Sequence, residues 1–314
     1  MAPNSTNTEP HTDPDPISRT LQFTPTASQS LSTEIVMGVA RASGIDPTQF
    51  HEALNEVINP SALDALFQPK ADGTARSGGT VCFTFHGYHI SVEADRTVTL
   101  QSELDRLRQT GANLLVCGMV PDDVRDVMSA RLLGDATRER ERTAFFTLSD
   151  CPTETALDRL TKAQIPQQRA HVLSTGETAR AATQATTPIE AAQSTVTGSL
   201  EDVQAAVLQT LSDLEHQNDP FGPADLRFCF DSLGPFVDAV DQNRLTSVLD
   251  QLCDAIAQRD GMGQFLIRNA FETPLVQAIR SCFEIVVELR ISTQGPEYRW
   301  HLQTTGFTTQ WLPL

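Results

Sequence analysis

The 314 residues are 39% hydrophobic, which is ample for packed cores and leaves room for two domains. Forty acidic residues stand against 23 basic ones for a net charge of −17, and Lys70 and Lys162 are the only lysines. Such a chain repels itself unless salt screens it, the pattern of a protein working in a very salty cytoplasm, and it argues against nucleic acid as a partner.

No apolar run reaches bilayer-spanning length, and the opening "MAPNSTNTEPHTDPDP" has neither a basic start nor an apolar signal core. A cytoplasmic location without membrane contact is therefore expected. Residues 1–16 lack apolar periodicity and read as a disordered lead-in.

Order begins with a helix whose apolar residues Leu31, Ile35, Val39 and Ala42 recur at helical spacing, with Ser32 as its expected N-cap and Gly44 as its stop. A short helix carries Phe50, Leu54, Val57 and Ile58. Asn59-Pro60 caps a third, with Leu63, Leu66 and Phe67 expected to face inward. After the loop "QPKADGTARSGG" the period changes to two. Val81, Phe83 and Phe85 alternate, then Tyr88, Ile90 and Val92, then Val98 and Leu100, with turns at His86-Gly87 and "EADR". The expectation for residues 17–101 is an α+β module, helices on a three-stranded antiparallel meander.

The stretches "LSTEIVMGVARASGIDPTQF", "INPSALDALFQP" and "GGTVCFTFHGYHISVEADRTVTL" resemble the halobacterial output domain, a small module attached to signalling proteins in haloarchaea. The resemblance implies a signalling setting and brings no catalytic residues with it.

From residue 111 onward the grammar differs. Strands "NLLVCG", "TAFFTLS", "RAHVLST", "LRFCFD" and "GQFLIR" alternate with helical segments beginning near Pro121, Thr153, Ser199, Pro235 and Thr273, which predicts a mainly parallel sheet covered by helices. Leu200, Val203, Val207, Leu211 and Leu214 mark one amphipathic helix, and Leu245, Val248, Leu249, Leu252 and Ile256 another. "FEIVVELRIS" and "YRWHLQ" around "TQGP" predict a C-terminal antiparallel hairpin. Residues 176–198 read as a low-complexity connector.

The pieces "FFTLSDCPTETALDRL", "LRFCFDSL" and "GPEYRWHLQTTGFTTQWLPL" resemble the RecA-like domain of KaiC-type ATPases, and more closely an uncharacterised haloarchaeal family without the ATPase motifs; the likeness spans residues 111–314. An active member needs a GxxxxGK[ST] loop for its phosphates. This chain has Gly118, Met119, Val120, Pro121, Asp122 and Asp123 instead. Pro121 lacks an N–H, and the two aspartates put carboxylates where a helix end would attract phosphate. Asp231, after Leu226, Phe228 and Phe230, stands where a Walker B-like carboxylate would be, and is read here as a structural group at a strand end. Where relatives carry paired glutamates the chain has Ser149 and Asp150, the latter expected to be a loop or cap residue.

Six well-separated cysteines, Cys82, Cys117, Cys151, Cys229, Cys253 and Cys282, read as core thiols, and His86 and His89 as structural. Tyr298, Trp300 and Trp311 read as core aromatics at strand spacing. No catalytic, cofactor-binding or metal residues are assigned, and no cofactor is expected. The sequence predicts a non-catalytic signalling or regulatory protein that acts on a protein partner, with a pseudo-ATPase scaffold and homo-oligomerisation left open. Two alternatives stand beside it: a divergent ATPase or nucleotide sensor using Asp231, and a DNA-associated regulator using "RERER", Arg138 to Arg142.

Overall fold

In the computed structural model two cores form around two sheets, and the chain divides into the units Met1–Arg106 and Leu107–Leu314. The structure describes residues 20–26, 28–50, 52–68, 74, 76, 78–134, 142–175, 190–217, 221–237 and 239–314.

In the smaller unit, β1 (Leu21–Phe23), β2 (Thr80–Phe85), β3 (Tyr88–Glu93) and β4 (Val98–Ser102) form an antiparallel sheet in the order β1-β4-β3-β2. Helices α1 (Leu31–Ser43), α2 (Leu54–Val57) and α3 (Pro60–Leu66) bury Leu31, Ile35, Val39, Leu54 and Leu63 against Phe85, Tyr88, Ile90, Val92, Val98 and Leu100. Each large side chain so removed from water contributes about 1.5–3 kcal/mol. His86 and Gly87 both take positive φ, 49° and 75°, which a two-residue hairpin turn requires.

The larger unit begins with the end of α4 (Glu103–Thr110) and is built on a nine-stranded sheet. In chain order its elements are β5 (Ala112–Cys117), α5 (Asp122–Leu133), β6 (Thr143–Leu148), α6 (Thr153–Lys162), β7 (Ala170–Thr175), β8 (Ala192–Val196) and α7 (Leu200–Gln217). There follow β9 (Leu226–Phe230), the single turn α8 (Gly234–Val237), α9 (Gln242–Ala257), β10 (Met262–Ile267), α10 (Pro274–Ile279), β11 (Ile285–Ser292), β12 (Gly295–Leu302) and β13 (Leu312–Pro313). The strand order is β13-β12-β11-β5-β10-β9-β6-β7-β8, parallel from β11 to β8, with β12 and β13 added antiparallel. All six residues of β5, β6 and β10 are buried, as befits strands covered on both faces. Helices α7, α9 and α10 cover one face through Val207, Leu252 and Ile279 with Leu115, Phe228 and Phe265. On the other face α5 and α6 reach Cys229 through Ser129 and Arg159.

Several expectations are corrected. The small sheet has four strands, not three, because Leu21–Phe23 pairs with β4; three residues are too few to show a period. The N-cap of α1 is Ser30, which accepts from Thr33 N–H at 3.3 Å, while Ser32 lies inside the helix and donates to Asp64 of α3. Two serines two apart both suit a cap, and the tertiary partner chooses. Leu66 is exposed rather than inward. Within 176–198, residues 192–196 form β8, a polar edge strand paired with β7; residues 176–189 lie outside the described residues, as do residues 1–16. Of the "RERER" patch, 138–141 are likewise outside them, and Arg142 is buried rather than displayed. Trp300 and Tyr298 are core residues, whereas the Trp311 ring packs against the guanidinium groups of Arg290 and Arg299 at 3.9 and 4.5 Å. No helix among the described residues is long and apolar enough to cross a membrane.

Candidate functional site

Adjacent parallel strands β5 and β10 send their helices, α5 and α10, to opposite faces of the sheet. A crevice outside the carboxyl ends of the strands is where open α/β sheets place ligands. Four segments meet at the carboxyl ends of these strands: Gly118–Asp123 after β5, Ser149–Cys151 after β6, Asp231–Gly234 after β9, and Arg268–Ala270 after β10.

The first segment is stitched to its neighbours. Gly118 N–H donates to Asn269 C=O at 2.8 Å, and Gly118 has φ 145° with the Leu289 carbonyl where a Cβ would stand. A glycine is required there because the backbone of β11 occupies the side-chain position. Met119 follows, three-quarters exposed at 75%. Asp123 accepts from Val124 N–H at 3.0 Å, and Asp122 pairs with Arg125 and, at 3.1 Å, with Arg268. The N-terminal turn of α5 thus already holds two carboxylates of its own.

Asp231 lies at the centre of the second arrangement. Its side chain accepts from Ser149 N–H (2.7 Å), Ser149 Oγ (2.9 Å), Asp150 N–H (3.2 Å) and Cys151 N–H (2.7 Å), and the residue is 4% exposed. Three successive backbone N–H groups close around this carboxylate as such nests close around anions. Burial pushes the Asp231 carboxyl up from its ordinary value against the pull of those hydrogen bonds. Burial, and then the charge of Asp231, pushes the Cys151 thiol up to about 12, which disfavours the thiolate. Asp150 leaves the nest outward and pairs with Arg268 at 3.2 Å, a charge bridge between two loops rather than a helix cap.

Two cations therefore stand at this edge of the sheet with four acids, Asp122, Asp123, Asp150 and Asp231. Arg268 is half exposed; Arg125 is buried, its basicity lowered by desolvation and then by Arg268. One nitrogen of Arg125, Nη1, has no hydrogen-bond partner among the described residues. No group of three or more His, Cys, Asp or Glu able to hold a metal ion occurs among the described residues.

Sequence reasoning singled out Gly118–Asp123, Ser149, Asp150 and Asp231, and the fold brings all of them to this one edge of the sheet. It missed Arg125 and Arg268. A charged residue directly after the buried run "GQFLI" was a usable signal for Arg268. For Arg125, inside a helix with no clear apolar stripe, there was none. His86 is buried, stacked on Phe50 at 4.1 Å in the smaller unit, far along the chain from this crevice.

A profile for a family of unknown function (DUF7504) matches residues 111–289, and one for halobacterial output domain 1 (HalOD1) matches residues 27–102. No curated protein matches the chain. The output-type module points to a signalling role, and its halobacterial character agrees with the acidic, lysine-poor composition. The DUF7504 match carries no activity and no likeness to RecA or KaiC.

Proposed function

The chain belongs to the DUF7504 family, and from that premise we propose that it is a non-catalytic signalling protein acting through protein contacts. In this reading residues 111–314 are a RecA-like, KaiC-related scaffold that has become a pseudo-ATPase, residues 17–101 are the output module, and no cofactor is needed. The observation that carries it is the engagement of Asp231. A Walker B-like carboxylate must offer an oxygen toward magnesium, and here both oxygens accept hydrogen bonds from residues 149–151. Asp122 and Asp123 support the same reading, since they occupy the helix end that a phosphate would need. The mainly parallel sheet with helices on both faces suits the scaffold.

A divergent nucleotide sensor is the second reading, favoured by Nη1 of Arg125, which has no hydrogen-bond partner among the described residues and stands near Arg268. Thermal unfolding of the full chain in concentrated potassium chloride, with and without magnesium ATP, separates the two. A ligand that binds only the folded state at 100 times its Kd stabilises by about 2.7 kcal/mol. The pseudo-ATPase reading requires an unmoved midpoint; a clear rise overturns it and establishes the sensor.

A further inference from the structure

Strand β2 is an outer strand of the small sheet, and among the described residues nothing pairs with its other edge. Its six residues, "TVCFTF", contain no charge and no proline, and its pairing with β3 runs without a bulge from Thr80↔Glu93 to Phe85↔Tyr88. Charge, proline, bulges, shortness and cover by a helix or loop are the devices that keep sheet edges from pairing. At the other edge β1 is protected by its length of three residues; among the described residues β2 has none of the first four, and α2 is the helix that packs against it.

The direction of its main-chain groups follows from the ladder. Glu93 N–H donates to Thr97 C=O at 2.9 Å, so Glu93, Ser91 and His89 turn their backbone groups toward β4. By alternation Tyr88, Ile90 and Val92 turn theirs toward β2 and engage Phe85, Phe83 and Val81. The N–H and C=O groups of Thr80, Cys82 and Thr84 therefore point out of the sheet.

That set is self-complementary. When two β2 strands run antiparallel about a two-fold axis at Cys82, Thr80 faces Thr84 of the second copy, Cys82 faces Cys82, and Thr84 faces Thr80. Each of these pairs exchanges two main-chain hydrogen bonds. Val81 then lies beside Phe83 of the second copy on the helix-covered face, where both are half-buried at present. A one-residue slip would set threonine against that apolar row. No like charges meet on either face.

We propose that two copies of this chain associate through β2 in this register, joining two four-stranded sheets into one. The pairing uses nothing from the larger unit, so its test is separate from the nucleotide experiment. Hydrogen-bonded antiparallel partners have Cα atoms about 5.5 Å apart, which puts the two exposed Cys82 thiols within reach of a short bis-maleimide. Each thiol adds across one maleimide double bond, the sulfur bonding to carbon and the proton passing to the neighbouring carbon, with no oxidant needed.

The experiment uses the full chain in concentrated potassium chloride. Light scattering over a concentration series should reach twice the chain mass, and bis-maleimide should give a covalent dimer. Cys82→Ser should lose the cross-link yet keep the dimer. Cys82→Lys, which sets two ammonium groups opposite each other, and Thr84→Pro, which removes an outward N–H without touching the β2–β3 ladder, should both give monomer. Their thermal midpoints report whether the fold is retained. A chain that stays monomeric at every concentration, a dimer that survives both variants with the fold intact, or a cross-link that persists in Cys82→Ser would each overturn the proposal.

Discussion

At the scale of single residues, the crevice is governed by where carboxylates go. Asp231 is costly to bury and is tolerated because four donors converge on it. Replacing it with alanine leaves three backbone N–H groups facing a void, so Asp231→Ala should lower unfolding stability by about 3 kcal/mol in a urea or guanidinium titration. A loss below half a kilocalorie would mean that water or a neighbour takes over the nest. The sequence placed this aspartate at a strand end and could go no further, because its donors stand some 80 positions earlier in the chain. Gly118 shows the same limit. Its glycine is visible in the sequence, but its reason is the Leu289 carbonyl of a strand far along the chain.

At the scale of elements, helices and strands are tied by a few charged contacts. Arg159 of α6 is 1% exposed and pairs with Asp126 of α5, fastening the two helices beneath their shared face. On the hairpin, Glu288 of β11 accepts from Arg299 Nε at 2.7 Å and lies 2.8 Å from His301 Nε2, while the His301 ring stacks on Phe271 at 4.0 Å. Burial raises the Glu288 carboxyl, but the hydrogen bonds of His301 and Arg299 outweigh it and hold it below its ordinary 4.5. A carboxylate with a lowered folded value adds stability that is present above the unfolded value and lost as pH falls through the folded one. Glu288→Gln should therefore destabilise at neutral pH, by roughly 1–2 kcal/mol. That gap from the parent chain should close as pH drops below 4.5. A gap independent of pH would mean that shape rather than charge holds the hairpin. The hairpin itself was legible in the strict alternation of "FEIVVELRIS" and "YRWHLQ". Strand β8 was not, since in an edge strand of Ala, Gln, Ser, Thr and Val, with no residue fully buried, a single apolar side chain sets no period.

For the whole molecule, a charge of −17 makes salt part of the folding balance. Screening weakens self-repulsion most in the folded state, where the acids are closest, so the thermal midpoint should climb steadily with potassium chloride. A midpoint flat from low to molar salt would remove the halophilic reading. By itself the sequence determined the salt-adapted character, the change of period near residue 111, the antiparallel and mainly parallel halves, and most helices and strands. These are properties of composition and local periodicity, which neighbouring residues impose on one another. The tertiary structure alone decided the fourth strand of the small sheet, the order of the nine, the capture of Asp231 by residues 149–151, the bridging of Asp122 and Asp150 by Arg268, and the β2 edge that no described strand pairs with. Each of these depends on groups far apart in the chain meeting once the cores close, and no local pattern encodes that meeting.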